Sequence, residues 1–325
     1  MSRVFSRTGM FMFAMLCAMG AIVAHAQEYP ARLVRIINPF PTGGPTDPPV
    51  RWAADKLTEA FGQQVIVEFK GGAAGNIGAE TVARAPADGY NLLFVTSSFP
   101  LAAVVPERLP FDPIRDFTAI GAVSSGPIIF VARPALGVRS IQDLIALARK
   151  MPGKVTFASS GVGGSGHLYG EMFKLITGVN MLHIPYKGAG PAIADLLGGH
   201  VDTFFVAGGT VLPLLTSGKL VALGVGSAKR ERTLPDIPTV HEAGVPGFSA
   251  TSRYGLLAPA GTPRAIVMKL NTTLAKVLNT PETRQRFASL GLEPDTSTPE
   301  EFAAYIKNEI VTWTRVVKAT GIQPE

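Results

Sequence analysis

Cysteine is nearly absent from this sequence, because Cys17 is the only one among 325 residues. It lies in an amino-terminal segment that we expect to be removed, so the mature chain would have neither disulfide bonds nor thiol chemistry. Leu16 precedes Cys17 where a lipid-attachment signal requires a small residue, which argues against a lipid anchor.

Long apolar runs are also absent, apart from the stretch from Met10 to Val23. Arg3 and Arg7 precede that stretch, and Ala24-His25-Ala26 follows it as a small-x-small cleavage site. This order is typical of a secretory signal peptide, and the apolar run is too short to span a membrane. We therefore expect residues 1–26 to be removed by cleavage after Ala26, and the mature protein to be soluble and periplasmic.

Charge is sparse and scattered. Charged residues make up 17% of the chain, the formal net charge is +6, and the only dense cluster is "AKRER", Ala228 to Arg232. A solvated surface loop explains this cluster better than a nucleic-acid patch does. The histidines beyond the signal peptide lack metal-ligand spacing; they are His167, His183, His200 and His241. We expect neither a nucleic-acid partner nor a metal.

The sequence does contain a regular alternation of short β-rich runs and helical periods, which continues to about Gly255. This pattern predicts an α/β fold with parallel sheets covered on both faces. Within it, "FTAIGAVSSGPIIFVARP" is predicted to supply two extended segments, and three successive helices are predicted after Gly255. The length suits two domains, and no single linker divides the chain, so we expect it to cross between the domains more than once.

Four loops share one design, in which glycines follow a strand and a capping residue or a proline begins a helix. Glycine lets backbone N–H groups approach a ligand, and the start of a helix provides unpaired donors, so such loops suit a carboxylate or a similar anion. Asp47, Asn76 and Ser165 are the predicted N-caps, and Pro191 is the predicted first residue of the fourth helix. The loops are Pro39–Pro49, Lys70–Glu80, the glycine turn after "VTFASS", and Tyr186–Ala192.

The third loop also spells G-x-G-x-x-G, with Gly161, Gly163 and Gly166. A dinucleotide site would need an acidic residue about 20 positions further on, but the nearest one is Asp195, so we disfavour that alternative and expect no cofactor. His167 stands two residues after Ser165, yet the sequence places no acid to orient it. We therefore expect no catalytic residue, and we interpret His167 as a helix-start residue that lines a pocket.

At these loops the sequence resembles the Bug family, the periplasmic solute-binding proteins of tripartite tricarboxylate transporters (TctC-like). The similar segments cover nearly the whole mature chain in the expected order; they include "PFPTGGPTD", "GAAGNIGAETVARAPADGYNLLF", "FASSGVGGSGHLYGEMFK", "HIPYKGAGPAIADLLGGHVD" and "YGLLAPAGTP". The resemblance implies a type II, Venus-flytrap binding protein, whose two α/β domains, each a mostly parallel sheet flanked by helices, close on a ligand. Domain 1 would combine residues 27–127 and 252–325, and domain 2 would be residues 128–251.

The resemblance further implies that a small carboxylate (a di- or tricarboxylate, an acidic amino acid or an aromatic acid) is held by backbone N–H groups and ordered water. The positions that match the family's binding loops are Phe40, Pro41, Gly43, Gly44, Thr46, Asp47, Gly75, Asn76, Ser159, Ser160, Gly163, Ser165, His167, Tyr186, Lys187 and Gly188. The implied partners are the membrane permease subunits of a tripartite tricarboxylate transporter, and the protein is expected to be a monomer. A ligand-dependent sensor module remains an alternative; a periplasmic enzyme is disfavoured because no acid and base are paired.

Several positions depart from the family pattern. Pro48 and Pro49 remove two possible N–H donors from the first loop. Val206 stands where a polar residue is common, which ordinary strand packing explains equally well, and Arg253 stands where tryptophan is usual. These differences predict a pocket that is more apolar on one side, with a new cation at the hinge.

Overall fold

The computed structural model describes residues 28–72, 75–104, 109–231 and 234–321. The predicted signal peptide and its cleavage site lie outside these ranges. Within them, no helix combines the length and the hydropathy that crossing a bilayer would require.

Ten strands and ten helices alternate along the described parts of the chain, which confirms the predicted α/β class. The strands are β1 Val34–Asn38, β2 Val65–Phe69, β3 Asn91–Val95, β4 Phe117–Ala132, β5 Thr156–Ser159, β6 Leu182–Pro185, β7 Thr203–Ala207, β8 Val221–Val225, β9 Thr251–Pro259 and β10 Glu293–Pro294. The helices are α1 Asp47–Phe61, α2 Asn76–Ala83, α3 Ser98–Ala102, α4 Ile141–Lys150, α5 Ser165–Thr177, α6 Ala189–Gly198, α7 Gly208–Thr216, α8 Arg264–Leu278, α9 Pro281–Ser289 and α10 Pro299–Thr320.

The prediction of two extended segments around residue 125 was wrong, because β4 is one strand of 16 residues. It changes partners partway along its length. As far as Pro127 it pairs with β9, and from Ile128 onward it pairs with β7 and β8. The Gly126–Pro127 step resembles a break in the sequence, but the change of neighbours lets the strand continue through it.

Two sheets are therefore joined through β4. The first has the order β2-β1-β3-β9-β4, with β10 also paired to β4, and its strands β1, β2 and β3 run parallel. The second has the order β4-β7-β5-β6, with β8 also on β4, and its strands β5, β6 and β7 run parallel. β9 and β8 are antiparallel to β4. We refer to the parts built on these sheets as the first lobe and the second lobe.

Helix α10 packs against the cores of both lobes. Its first half places Phe302 and Ile306 in the same buried cluster as Ile37 of β1. Its second half places Trp313 and Val317 in a cluster of the second lobe with Phe130. Trp313 is 2% exposed, and truncating a buried aromatic residue of this size costs about 3–5 kcal/mol. The C-terminal helix thus contributes substantially to both lobes.

Candidate functional site

Strand direction brings the four predicted loops to opposite sides of one cleft. β4 leaves the first lobe in the direction of β1–β3, because β9 is antiparallel to both β3 and β4. β5–β7 run back toward the first lobe, because β7 is antiparallel to β4. The carboxyl ends of the parallel strands in each lobe therefore point toward the other lobe. Ligands bind at such ends in open α/β sheets.

The strand register gives the separation of the two sets of strand ends along β4. Val95, the last residue of β3, lies level with Ala122 of β4, since both pair with Gly255. Ala207, the last residue of β7, pairs with Ile128 of β4. The two levels are therefore about 20 Å apart along β4, at ~3.3 Å per residue. Loops that extend from both sides into this space can surround a small molecule.

The first and second loops lie against each other in the first lobe. A Cβ atom on Gly71 would be 3.4 Å from the Pro41 nitrogen, and one on Gly75 would be 3.3 Å from the Pro39 Cβ. Between them and the end of β3 is a cavity of about 20 Å³, room for about one water molecule, which Phe40, Gly75 and Asn76 line.

The same cavity is also lined by Thr96, Ser98 and Phe99, which follow β3. Sequence reasoning missed them because "TSSF" contains no glycine. The available signal was their position directly after a buried strand.

The first loop is held by its own polar side chains. Asp47 is 8% exposed; its Oδ2 accepts a 2.9 Å hydrogen bond from the Gly43 N–H, and its Oδ1 pairs with Arg51. Asn38 donates from Nδ2 to the Thr46 hydroxyl at 3.1 Å and accepts from the Phe40 N–H at 3.3 Å. The amides of Phe40 and Gly43 are thus used within the protein, and Asp47 acts as a support for the loop.

The predicted helix starts were wrong by one or two residues, and the residues that are the N-caps leave backbone N–H groups without a side-chain partner. The N-caps are Thr46, Gly75, Gly164 and Gly188, and none of them makes a side-chain capping hydrogen bond. Asp47, Asn76 and Ser165 are the first helical residues instead, and Ala189, rather than Pro191, begins α6. A cap without a side-chain acceptor leaves the first N–H groups of its helix unsatisfied by that residue.

Several amides remain available to a ligand. In the part of the chain that the structure describes, the N–H groups of Gly44, Ser160 and Ser165 donate to no protein acceptor. Other amides of the third and fourth loops bond locally: Tyr186 donates to the Ser159 carbonyl at 3.0 Å, and Gly188 to the Ser160 carbonyl at 3.2 Å. These bonds hold the two loops side by side.

Two histidines are stacked at the base of the third loop. The rings of His167 and His183 are nearly parallel, with centroids 3.8 Å apart and an interplanar angle of 6°. Nδ1 of His167 accepts from the Gly163 N–H at 3.1 Å, and Nε2 of His183 lies 2.7 Å from the Ser159 hydroxyl. Burial lowers the pKa of His167 to about 4 and that of His183 to about 3. Both rings are therefore neutral at pH 7.

The fourth loop contributes one engaged side chain and one unpaired cation. The Tyr186 hydroxyl donates to Oδ2 of Asp195 at 2.8 Å, and burial together with this carboxylate raises the pKa of Tyr186 to about 12. Lys187 is exposed, and its ammonium group has no carboxylate partner within the described ranges. An exposed lysine beside uncapped helix starts favours an anion.

The new hinge cation that the sequence suggested is neutralised. Arg253 binds Asp295 through two hydrogen bonds of 2.6 and 3.1 Å, and its guanidinium lies 4.7 Å from the centre of the Tyr305 ring. Val206 is 5% exposed and packs in an apolar cluster with Ile129, so it does not provide an apolar pocket wall. These two departures from the family pattern affect packing and the contacts of β9 rather than the loops.

No group of three metal-ligating side chains occurs within the described residues. None of the hydrogen bonds found there joins His167 or His183 to a carboxylate. The loops, the neutral rings and the free amides form an arrangement that can bind an anion.

Comparison with known proteins agrees with this geometry. Residues 50–322 match the family model described as the tripartite tricarboxylate transporter family receptor. Among curated proteins, BugT of Bordetella pertussis (strain Tohama I) is 38% identical over 299 residues, covering 91% of each chain.

Two solved structures that carry ligands are also similar to this chain. Rpa4515 of R. palustris with adipate has a TM-score of 0.84 and 36% identity, covering 92% of this chain and 100% of its own. MatC from Rhodopseudomonas palustris with bound malate has a TM-score of 0.80 and 29% identity, covering 89% of this chain and 100% of its own.

Proposed function

The chain belongs to the tripartite tricarboxylate transporter receptor family, and from this premise we propose that it captures a small carboxylate in the cleft and delivers it to the permease subunits of such a transporter. As a member of the Bug and TctC type, it is a periplasmic solute-binding protein. The ligand, the site residues, the closing of the lobes and the permease partner are the parts that we propose.

The main support for the proposal is that two loops of the first lobe face two loops of the second lobe, and that each loop leads into a helix whose N-cap makes no side-chain hydrogen bond. Gly44 offers an unused amide from the first lobe, and Ser160 and Ser165 offer two from the second. Hydrogen bonds from N–H groups to a carboxylate are charge-assisted and stronger than neutral ones. Adipate and malate, seen in the two similar structures, both have two carboxylates and could engage both lobes at once. We propose that such a ligand bridges the cleft.

The contacts of the acidic side chains and of His167 support ligand capture rather than catalysis. Asp47 and Asp202 are both engaged in ion pairs, with Arg51 and Arg133. His167 accepts a backbone N–H on one ring nitrogen. No paired general acid and base results from these contacts. The proposed site keeps the residues expected from the sequence, with Asp47 and Thr46 as supports and Lys187 as a charge near the mouth of the cleft.

Closure of the cleft would follow from the chain path. We propose that residues 27–127 and 252–325 move as one unit against residues 128–251, with the hinge at β4 and β9, and that the closed form is the one recognised by the permease. We also propose export with cleavage after Ala26, and a monomeric state. Mass spectrometry of the protein recovered from the periplasm would test the cleavage site.

Calorimetric titration with adipate and malate tests the proposed ligand class, with adipamide as a neutral molecule of the same length. We expect 1:1 binding of at least one dicarboxylate and none of adipamide. Binding of adipamide comparable to that of adipate would contradict the proposal, because the amides would then not be selecting a negative charge.

A matched pair of variants tests the Ser165 amide. Ser165 is the first residue of α5, a position that accepts proline. The preceding residue, Gly164, has the extended conformation (φ −71°, ψ 164°) that a residue before proline prefers, so proline fits at position 165 without breaking the helix. Ser165→Pro removes the N–H and the hydroxyl, whereas Ser165→Ala removes only the hydroxyl. A hydrogen bond to a charged group contributes about 1.5–3 kcal/mol, so Ser165→Pro should weaken binding about 10-fold or more relative to Ser165→Ala. Equal affinities would exclude this amide.

A further inference from the structure

His183 is not among the binding-loop positions named from the sequence. It is in the edge strand β6, but its ring faces the third loop of the neighbouring strand. Its ring centroid lies 3.8 Å from that of His167, with nearly parallel planes, and 4.9 Å from that of Phe157. Its Nε2 lies 2.7 Å from the Ser159 hydroxyl, which is fully buried.

The hydrogen-bond directions follow from counting protons. The Ser159 hydroxyl has one proton, and it donates that proton to the Gly161 carbonyl at 2.9 Å. It also accepts from the Gly161 N–H at 3.2 Å, so with its own proton on the Gly161 carbonyl it accepts a hydrogen bond from Nε2 of His183. The series of hydrogen bonds from His183 through Ser159 to Gly161 therefore fixes the beginning of the third loop.

His167 fixes the end of the same loop. Its Nδ1 accepts from the Gly163 N–H, which places the ring proton on Nε2. Gly161 and Gly163 both have positive φ values, 147° and 73°, so this turn has a backbone conformation that needs external support to stay unique. The unused amides of Ser160 and Ser165 lie immediately beside these two fixed points.

We propose that His183 is a positioning residue for the carboxylate site: by stacking on His167 and donating to Ser159, it holds the third loop in the conformation that presents its amides to the ligand. This inference rests on the proposed function. The His183 ring contacts both ends of the loop: it holds the start through its hydrogen bond with Ser159, and the end through its stack on His167.

The charged surroundings are consistent with this role. Lys174, on α5, lies 5.8 Å from the centre of the Phe157 ring and is paired with Glu171 at 2.7 Å. Burial is the main cause that lowers the pKa of both histidines; the neighbouring His167 adds to it for His183, and the Lys174 charge adds to it for both. Protonating His167 would put a hydrogen on the nitrogen that accepts from Gly163. Acid should therefore release the loop.

Three variants of the full chain separate stacking from hydrogen bonding. His183→Phe keeps an aromatic stack and removes the donor, and His183→Gln keeps an N–H donor and removes the ring. His241→Phe is the control, because His241, like His167, accepts a backbone N–H in the second lobe, from Gly247 at 3.1 Å, but lies outside the third loop. The readouts are amide hydrogen exchange of Gly161 and Gly163, the nitrogen-15 spectrum of the His167 ring, and titration with adipate and malate.

We expect His183→Phe, which keeps the stack on His167, to speed exchange at Gly161 by about 10-fold, to leave Gly163 largely protected, and to weaken dicarboxylate binding by a similar factor, as expected for one lost hydrogen bond. His183→Gln should recover most of the Gly161 protection, and His241→Phe should change neither amide. Unchanged exchange at Gly161 in His183→Phe, or unchanged exchange at Gly163 with an unchanged His167 spectrum in His183→Gln, would overturn the inference. If the wild-type chain binds neither probe, the proposed function fails, while the exchange comparison still decides the role of His183.

Discussion

Gly170, in the buried middle of α5, allows a close approach that no other residue type would. A Cβ atom built there would lie 2.2, 2.5 and 2.8 Å from three ring atoms of Phe157. Phe157 is completely buried and stacks on His183, so its ring cannot move without disturbing the histidine pair. The prediction is that Gly170→Ala destabilises the protein although alanine is the better helix former.

The magnitude follows from two opposing effects. Replacing glycine by alanine inside a helix gains about 1 kcal/mol. Overpacking a filled core costs about 1–3 kcal/mol, and the 2.2 Å approach places Gly170 at the upper end of that range. We therefore expect a net loss of about 1–2 kcal/mol in the free energy of unfolding.

Gly190 supplies the matched control. It lies in α6 with no atom within 4 Å of a built Cβ, so Gly190→Ala should gain about 0.5 kcal/mol. Urea unfolding of both variants measures the difference. If Gly170→Ala is as stable as Gly190→Ala, the Phe157 ring has room to move and the reasoning about the packed stack is wrong.

Two further predictions concern the hinge region and α10. Arg253→Lys keeps the charge but loses the bidentate hydrogen bonding to Asp295 and the guanidinium contact with the Tyr305 ring. We expect urea titration to show a free energy of unfolding lower by about 1 kcal/mol. An unchanged urea midpoint would show that the bidentate contact does not contribute to stability. Burial raises the pKa of Glu309 in the native state, so ionising this carboxyl group at neutral pH destabilises the fold. The native state therefore has its full stability at a pH below the pKa that Glu309 has in the unfolded chain. That stability is lost as the pH rises through the higher pKa of Glu309 in the native state. Glu309→Gln, which can still accept from the Trp313 indole, should therefore be more stable than wild type at pH 7 and equal to it near pH 3; equal stability at both pH values would contradict this.

The α/β alternation and the loop positions could be predicted because they depend on local signals. Glycine after an apolar run and a helical period after the glycine are both visible in the sequence around Gly163 and Gly188. The family resemblance supplied the two-lobe architecture, which the similar structures confirm. The division into residues 27–127 with 252–325, and 128–251, stays a prediction.

Other features depend on contacts between distant residues, and no local pattern reveals them. The continuity of β4 through Pro127 depends on its change of partner from β9 to β7 and β8. Asp295 neutralises Arg253 from 42 residues away, and His183 reaches Ser159 across 24. Thr96 was missed because its only signal is its place directly after β3, with no glycine to mark the loop.

The C-terminal helix has a consequence for how the protein loses its structure. Because α10 buries Phe302 in one lobe and Trp313 in the other, melting either lobe would strip the other of part of its interior. The two halves should consequently denature in a single cooperative transition, even though they are built on separate sheets. A change in the angle between them at β4 and β9 would also require small shifts of the α10 side chains against one interior or the other.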